Sequence, residues 1–375
     1  MLITNLRPIT TALAKIKEVP DIFFANLEAA ETFNNNLFPK WLTDKKGKPI
    51  VFGKRTELRN RFKAIYDKYK AIGDVAARQR IISAYFDTNK VSALCNNEDH
   101  LSCFELNDLH ENIRKEIDDA FLYLYTSALN HPAYETFVKS TIKVSLWNFT
   151  NVNGIDVCPF CGLEMLLQIE GQARLPLDHW LNKDKFPFAA INFENLIPIG
   201  TDCNSNGVKG VKNVLKDIRV RPKKRAFYPY ILNKGFGVSI VCTKNPNVEN
   251  EFGEWEFSIA PNDASEKDYF ESWNFIFNIS TRYKSYFDDK IVLNWRNRYV
   301  EFLQNNEDDV NVVHAASVEQ FKENLRYWKR TFMIRRIPAA KIYIGFIDYL
   351  INEAPDDYLY GEVESFKSKV IAGVI

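Results

Sequence analysis

The sequence predicts an α+β fold, with a central module of short strands and loops set between mainly helical N- and C-terminal regions. Three observations predict it. Residues 1–148 carry apolar side chains at helical spacing. From about residue 150 the chain breaks into short apolar runs separated by Gly, Pro, Asn and Asp. From about residue 265 long periodic segments return. The expected organisation is a helical region at 1–148, the central module at 149–230, and a C-terminal region at 231–375 that begins with a β-hairpin and ends in helices.

The helical expectation is strongest at 55–72, where Leu58, Phe62, Ile65, Tyr66 and Tyr69 fall on one face, and at 106–129, where Leu109, Ile113, Ile117, Phe121 and Leu124 do the same. Residues 37–54, rich in Gly, Pro and Lys, read as a loop. FGVSIVC at 236–242 and EWEFSIA at 254–260 alternate as strands do, with NPNVENEFG as the hairpin connection between them. Further helices are expected at 282–305, 316–332, 337–352 and 356–372, interrupted by the acidic stretches at 305–309 and 354–357. Trp273, Trp295 and Trp328 read as core. His100, His110, His131 and His314 have no partner pattern, and Cys95 and Cys103 match no metal-site spacing.

A formal net charge of +1 over 375 residues gives the chain no general basic field, so nucleic-acid affinity would have to come from a local patch. Hydrophobic residues at 46% supply material for cores and argue against disorder. The N-terminal stretch has no apolar run of signal-peptide length and no segment approaches a membrane span, so a soluble, cytoplasmic protein is expected. Six cysteines are too few for a disulfide scaffold at this length.

The chemistry concentrates in the middle. Cys158-Pro-Phe-Cys161 is a C-x-x-C knuckle, and Gly162 after it permits the tight turn. This is a common half-site for structural zinc; a redox pair or chance is the bland alternative. Cys203 offers a third thiolate, but Gly200 stands where a second knuckle would place another cysteine. The zinc ligand set is therefore incomplete, leaving Asp202, a water or a remote residue such as Cys242 to supply the fourth ligand, or a site that no longer binds metal. Downstream, Asp178 and His179 pair a hard oxygen ligand with a base that titrates near neutral pH. Asn195 and Asn204 follow, and Asn204 offers a carboxamide oxygen.

The whole pattern resembles the HNH nucleases: C-x-x-C, then Asp-His with a Lys- and Phe-Pro-containing segment, Asn-Leu-Ile-Pro, Cys-Asn and Gly-x-Lys, over roughly residues 155–228. The resemblance implies a ββα-metal finger gripping one divalent cation, and a metal-dependent endonuclease that hydrolyses phosphodiester bonds, with DNA the expected substrate. It implies that His179 is the catalytic base, Asn195 the central asparagine that orients it, and Asp178 and Asn204 the ligands of a catalytic Mg²⁺ or Mn²⁺. Cys158, Cys161 and Cys203 would hold structural Zn²⁺ and clamp the region around that site. Gly200 departs from the pattern of zinc-containing members and weakens the zinc expectation more than the catalytic one.

Residues 209–225 support a nucleic-acid substrate. Lys209, Lys212, Lys216, Arg219, Arg221, Lys223, Lys224 and Arg225 stand against one acid, Asp217, where the finger's helix is expected. Such side chains pair with backbone phosphates and carry no sequence information; a solvated basic face is the bland reading. The flanking helical regions, larger than the finger, imply targeting or restraint. The build resembles effectors of bacterial anti-phage defence of the Septu type, in which the nuclease works beside an ATPase, with a stand-alone restriction or homing-type enzyme as competitor. The alternative function is a non-catalytic zinc-knuckle module that binds nucleic acid or protein. A thiol-redox role for Cys158 and Cys161 is disfavoured by the lack of a surrounding βαβ pattern.

Overall fold

The computed structural model describes residues 6–42, 57–98, 100–166, 177–215, 224–230, 238–245, 254–306, 315–334 and 337–371. Among them the fold is helix-rich, with two small antiparallel sheets, and broadly α+β. No helix among the described residues is long and apolar enough to cross a membrane. The chain divides into two compact units.

The first unit takes residues 5–154 and 167–234. Its helices are α1 (Glu18–Asn26), α2 (Glu57–Ala71), α3 (Val75–Thr88), α4 (Val91–Cys95), α5 (Glu111–Tyr123), α6 (Pro132–Val138) and α7 (Ile142–Asn153). Helix α2 buries Leu58, Phe62, Ile65, Tyr66 and Tyr69, the face its spacing predicts. The periodic stretch 106–129 is not one helix. A 3₁₀ turn at Leu106–Asp108 precedes α5, which starts where His110 Nδ1 accepts from Asn112 N, and a π-helical turn at Leu124–Ala128 follows it. His131 caps α6 in the same way, so two histidines without a sequence pattern serve as N-caps. Strands β1 (Leu177–His179) and β2 (Leu196–Pro198) pair antiparallel, with Asp178 opposite Ile197 and His179 opposite Leu196. The single-turn helix α8 (Thr201–Asn204) follows β2.

An aromatic cluster ties these parts together. Phe188, from the loop between β1 and β2, packs edge-on against Phe24, Tyr85 and Phe121 at 5.3, 5.5 and 5.3 Å between ring centroids. Phe24 and Tyr85 stack at 4.4 Å. The loop is thus anchored in the core that α1, α3 and α5 build.

The second unit takes residues 1–4, 155–166 and 235–375. Strands β3 (Val238–Asn245) and β4 (Glu254–Pro261) form the expected hairpin, Cys242 opposite Phe257; the connection at 246–253 lies outside the described residues, as do 43–54 of the expected early loop and His314. Helices follow at Lys267–Phe277, Ile279–Tyr286, Leu293–Gln304, Val318–Ile334, Ala340–Asn352 and Asp356–Ile371. Trp273, Trp295 and Trp328 are buried as expected. Glu362 is buried and answered by a two-nitrogen contact from Arg296.

The helix Ala340–Asn352 lies so close to β3 that a Cβ on Gly345 would sit 2.8 Å from Ile240 Cβ and 3.1 Å from its carbonyl oxygen. Gly361 in the last helix has nothing within 4 Å. Ala in place of a helical Gly gains about 1 kcal/mol of propensity, whereas overpacking costs about 1–3 kcal/mol. Gly361→Ala is therefore expected to raise the urea midpoint and Gly345→Ala to lower it. Equal shifts of one sign would show that the helix and β3 are not in close contact.

Candidate functional site

The knuckle is built as a tight hairpin. Cys158 N donates to Glu164 O at 2.8 Å, Gly162 N to Cys158 O at 2.8 Å and Leu166 N to Asp156 O at 2.8 Å. Gly162 has φ +64°, the left-handed conformation that glycine adopts at least cost. Leu163 N points at Cys161 Sγ, 3.4 Å away, the kind of donor that steadies a thiolate. Three consecutive carbonyls are held from outside: Phe160 O by Trp273 Nε1 at 2.8 Å, Cys161 O by Tyr283 OH at 2.6 Å and Gly162 O by Ala339 N at 2.7 Å.

Cys158, Cys161 and Cys203 are all buried, and their sulfurs lie within 4.8 Å of one another. Among the described residues they are the one such group of three His, Cys, Asp or Glu side chains, and it could hold a metal ion such as zinc. Neither proposed fourth ligand joins it: Asp202 is exposed in α8 and Cys242 is buried in β3.

Asp178 and His179 stand side by side in β1. His179 is 7% exposed, and its Nε2 lies 3.0 Å from Ala190 O. A carbonyl oxygen only accepts, so Nε2 carries the proton and Nδ1 the lone pair. Burial pushes the imidazole pKa down to about 4, against the stabilising pull of the Ala190 carbonyl, so the ring is neutral near pH 7. Tyr125, on the π-helical turn, packs edge-to-face on the ring at 4.4 Å and 67°. Sequence reasoning missed Tyr125: its helical repeat marks Phe121 and Leu124 as the buried face, and nothing in it signals a π turn.

Asn195 is fully buried and fixes the loop that carries Ala190. Its Oδ1 accepts from Leu181 N at 2.7 Å, and its Nδ2 donates to Leu181 O at 3.1 Å and Ala189 O at 3.2 Å. Trp180 N donates to Asn195 O at 2.8 Å. Asn192 Nδ2 reaches Asn89 O at 2.9 Å, and Asn89 Nδ2 reaches Phe188 O at 3.2 Å, so the end of α3 holds the same loop. Tyr228 OH and Tyr230 OH donate to Glu194 O and Leu196 O at 2.8 and 2.9 Å.

Asp178 faces Lys209. Nζ forms an ion pair with Asp178 Oδ2, off hydrogen-bonding alignment, and donates to His179 O at 2.9 Å. The Lys209 side chain is fully buried and the Asp178 side chain 15% exposed. Burial raises the Asp178 carboxyl pKa, and the Lys209 ammonium opposes that rise. Lys209 therefore faces the site interior and is not presented to a phosphate. Lys224 is also buried, Lys212 and Arg225 are partly exposed, and Lys216, Arg219, Arg221 and Lys223 lie outside the described residues. Residues 209–211 and 214–215 are turns, the other residues of the expected helix at 216–223 lie outside the described residues, and Asn213 Nδ2 donates to Glu105 Oε1 at 2.8 Å.

Asn204 ends α8, partly exposed, and no hydrogen bond to another described residue engages its carboxamide. A carboxylate and a carboxamide oxygen fit a hard divalent cation, which accepts few protein ligands and keeps waters. Comparison with protein-family models, curated proteins and solved structures finds no match. The HNH resemblance rests on the chain's own residues.

Two outcomes follow from this geometry. The purified chain is expected to carry zinc near one equivalent by elemental analysis, and Cys158→Ser to lose it; equal zinc in both would remove the thiolate site. Asn195→Ala leaves a buried N–H and two carbonyls without their partner, and a single such group costs about 1–3 kcal/mol. A drop of about 2–4 kcal/mol in urea unfolding is expected, and a loss below about 1 kcal/mol would show that water replaces the carboxamide.

Proposed function

We propose that the chain is a metal-dependent HNH endonuclease that hydrolyses phosphodiester bonds, with DNA as substrate. The observation that carries this reading is His179: a neutral imidazole whose Nε2–H is spent on Ala190 O, leaving the lone pair of Nδ1 as a base on the residue that follows Asp178 in β1. Asn195 and Tyr125 hold the ring and its loop in that arrangement. Nδ1 takes a proton from water as the water oxygen bonds to phosphorus and the bond to the 3′ oxygen breaks. Mg²⁺ or Mn²⁺ held by Asp178 and Asn204 would offset charge at the phosphoryl and leaving oxygens. Lys212 and Arg225 are partly exposed, and in this reading they would meet backbone phosphates. A role in anti-phage defence or restriction, beside a regulatory ATPase, extends the same reading.

A second reading is favoured by burial. His179 is little exposed, and Asp178 already has an internal counter-charge. Both fit a non-catalytic zinc-knuckle module that binds nucleic acid or protein.

Supercoiled plasmid separates the two. The wild type is expected to nick it with Mg²⁺ or Mn²⁺ and not with chelator, and His179→Ala to slow nicking by about 100-fold or more, the usual contribution of a general base. Equal cleavage by wild type and variant would refute the role of His179. Plasmid binding without cleavage, in metal and with a co-purified partner present, would favour the binding module.

A further inference from the structure

Lys209 ties together the two elements that carry the candidate cation ligands. Its backbone N donates to Cys203 O at 3.1 Å, next to Asn204. Its Nζ donates to His179 O and pairs with Asp178 Oδ2. The ammonium lies 5.7 Å from the Trp180 ring centroid, and the side chain has no exposure. One residue thus joins strand β1, which carries Asp178, to the end of α8, which carries Asn204. Gly210, directly after it, has φ +42°, and a Cβ there would meet Asn206 Cα at 2.8 Å, so the turn that aims Lys209 inward requires glycine.

We propose that Lys209 is a positioning residue for the divalent cation: it holds one oxygen of Asp178 so that the carboxylate presents the other to the ion, and through its backbone bond to Cys203 O it steadies the end of α8 that carries Asn204. The inference rests on the metal-site reading above. Its chemistry is that of an outer partner to a ligand. A carboxylate free to rotate must be ordered when the ion binds, whereas one already gripped is not, and loss of such a partner typically weakens metal binding about 10–100-fold. The opposing effect is repulsion between ammonium and cation, which would make Lys209 a competitor of the ion. The two roles predict opposite signs.

Mn²⁺ binding to the full chain, read by the electron paramagnetic resonance of free Mn²⁺, decides between them without any cleavage assay. The variants are Asp178→Asn, Lys209→Met and Lys209→Arg, each checked for unchanged circular dichroism and zinc content. The proposal expects Lys209→Met to bind Mn²⁺ about 10-fold or more weakly, with Lys209→Arg recovering part of the loss. Unchanged or tighter Mn²⁺ binding by a folded Lys209→Met chain overturns it. Should that chain fail to fold, Lys209→Arg alone decides. A guanidinium keeps the charge but not the geometry, so weaker binding supports the proposal and wild-type affinity overturns it. If wild type binds Mn²⁺ no better than Asp178→Asn, the metal-site reading itself falls and the role of Lys209 with it. Loss of binding in Asp178→Asn with no change in either Lys209 variant removes the Lys209 role alone.

Discussion

A carboxylate does not stay ionised in a protein interior without an opposing charge or strong donors, and that constraint organises the first unit. Asp178 is mostly buried on a strand whose partner is wholly apolar, Leu196-Ile197-Pro198. Lys209 answers it from a turn that α8 and Gly210 shape. Removing one member of a buried pair typically costs about 3–5 kcal/mol, because the other is left uncompensated. The hairpin, the short helix and the following turn are therefore bound together by charge as well as by backbone pairing.

The helical N-terminal region is the hairpin's support. A three-residue pairing between β1 and β2 is too short to stand alone. The loop between those strands reaches into the aromatic core through Phe188, and Asn89, at the C-terminal end of α3, holds it by donating to Phe188 O. The same loop supplies Ala190 O, which fixes the tautomer of His179. A helical core distant in sequence thus sets which imidazole nitrogen carries the lone pair.

Local pattern was legible and long-range pattern was not. The apolar face of α2, the β3–β4 hairpin and the buried tryptophans follow from spacing and alternation, which each segment carries within itself. The knuckle and Gly162 were readable because a tight turn needs that chemistry at fixed spacing. Lys209 was not: in sequence it heads a basic run, and only the fold turns it inward to meet Asp178. Tyr125 was hidden by a π turn inside a regular helical repeat. The tie of the β1–β2 loop to the N-terminal helices depends on contacts such as Phe188 with Phe24, which no window of sequence contains.

The same burial that makes His179 a neutral base also limits its reach. In the proposed nuclease a group so enclosed would abstract a proton only from a molecule delivered to Nδ1, so that reading calls for an oriented water and not a bulky acid. Nor does the ion pair between Asp178 and Lys209 exclude a cation, since a carboxylate has two oxygens and the ammonium occupies one. A purely structural hairpin has no need of a buried histidine: an apolar residue would fill the space beside Tyr125 without the cost of burying a ring nitrogen. The bond from His179 Nε2 to Ala190 O ties the ring to the loop, and it leaves Nδ1 for the role proposed for it.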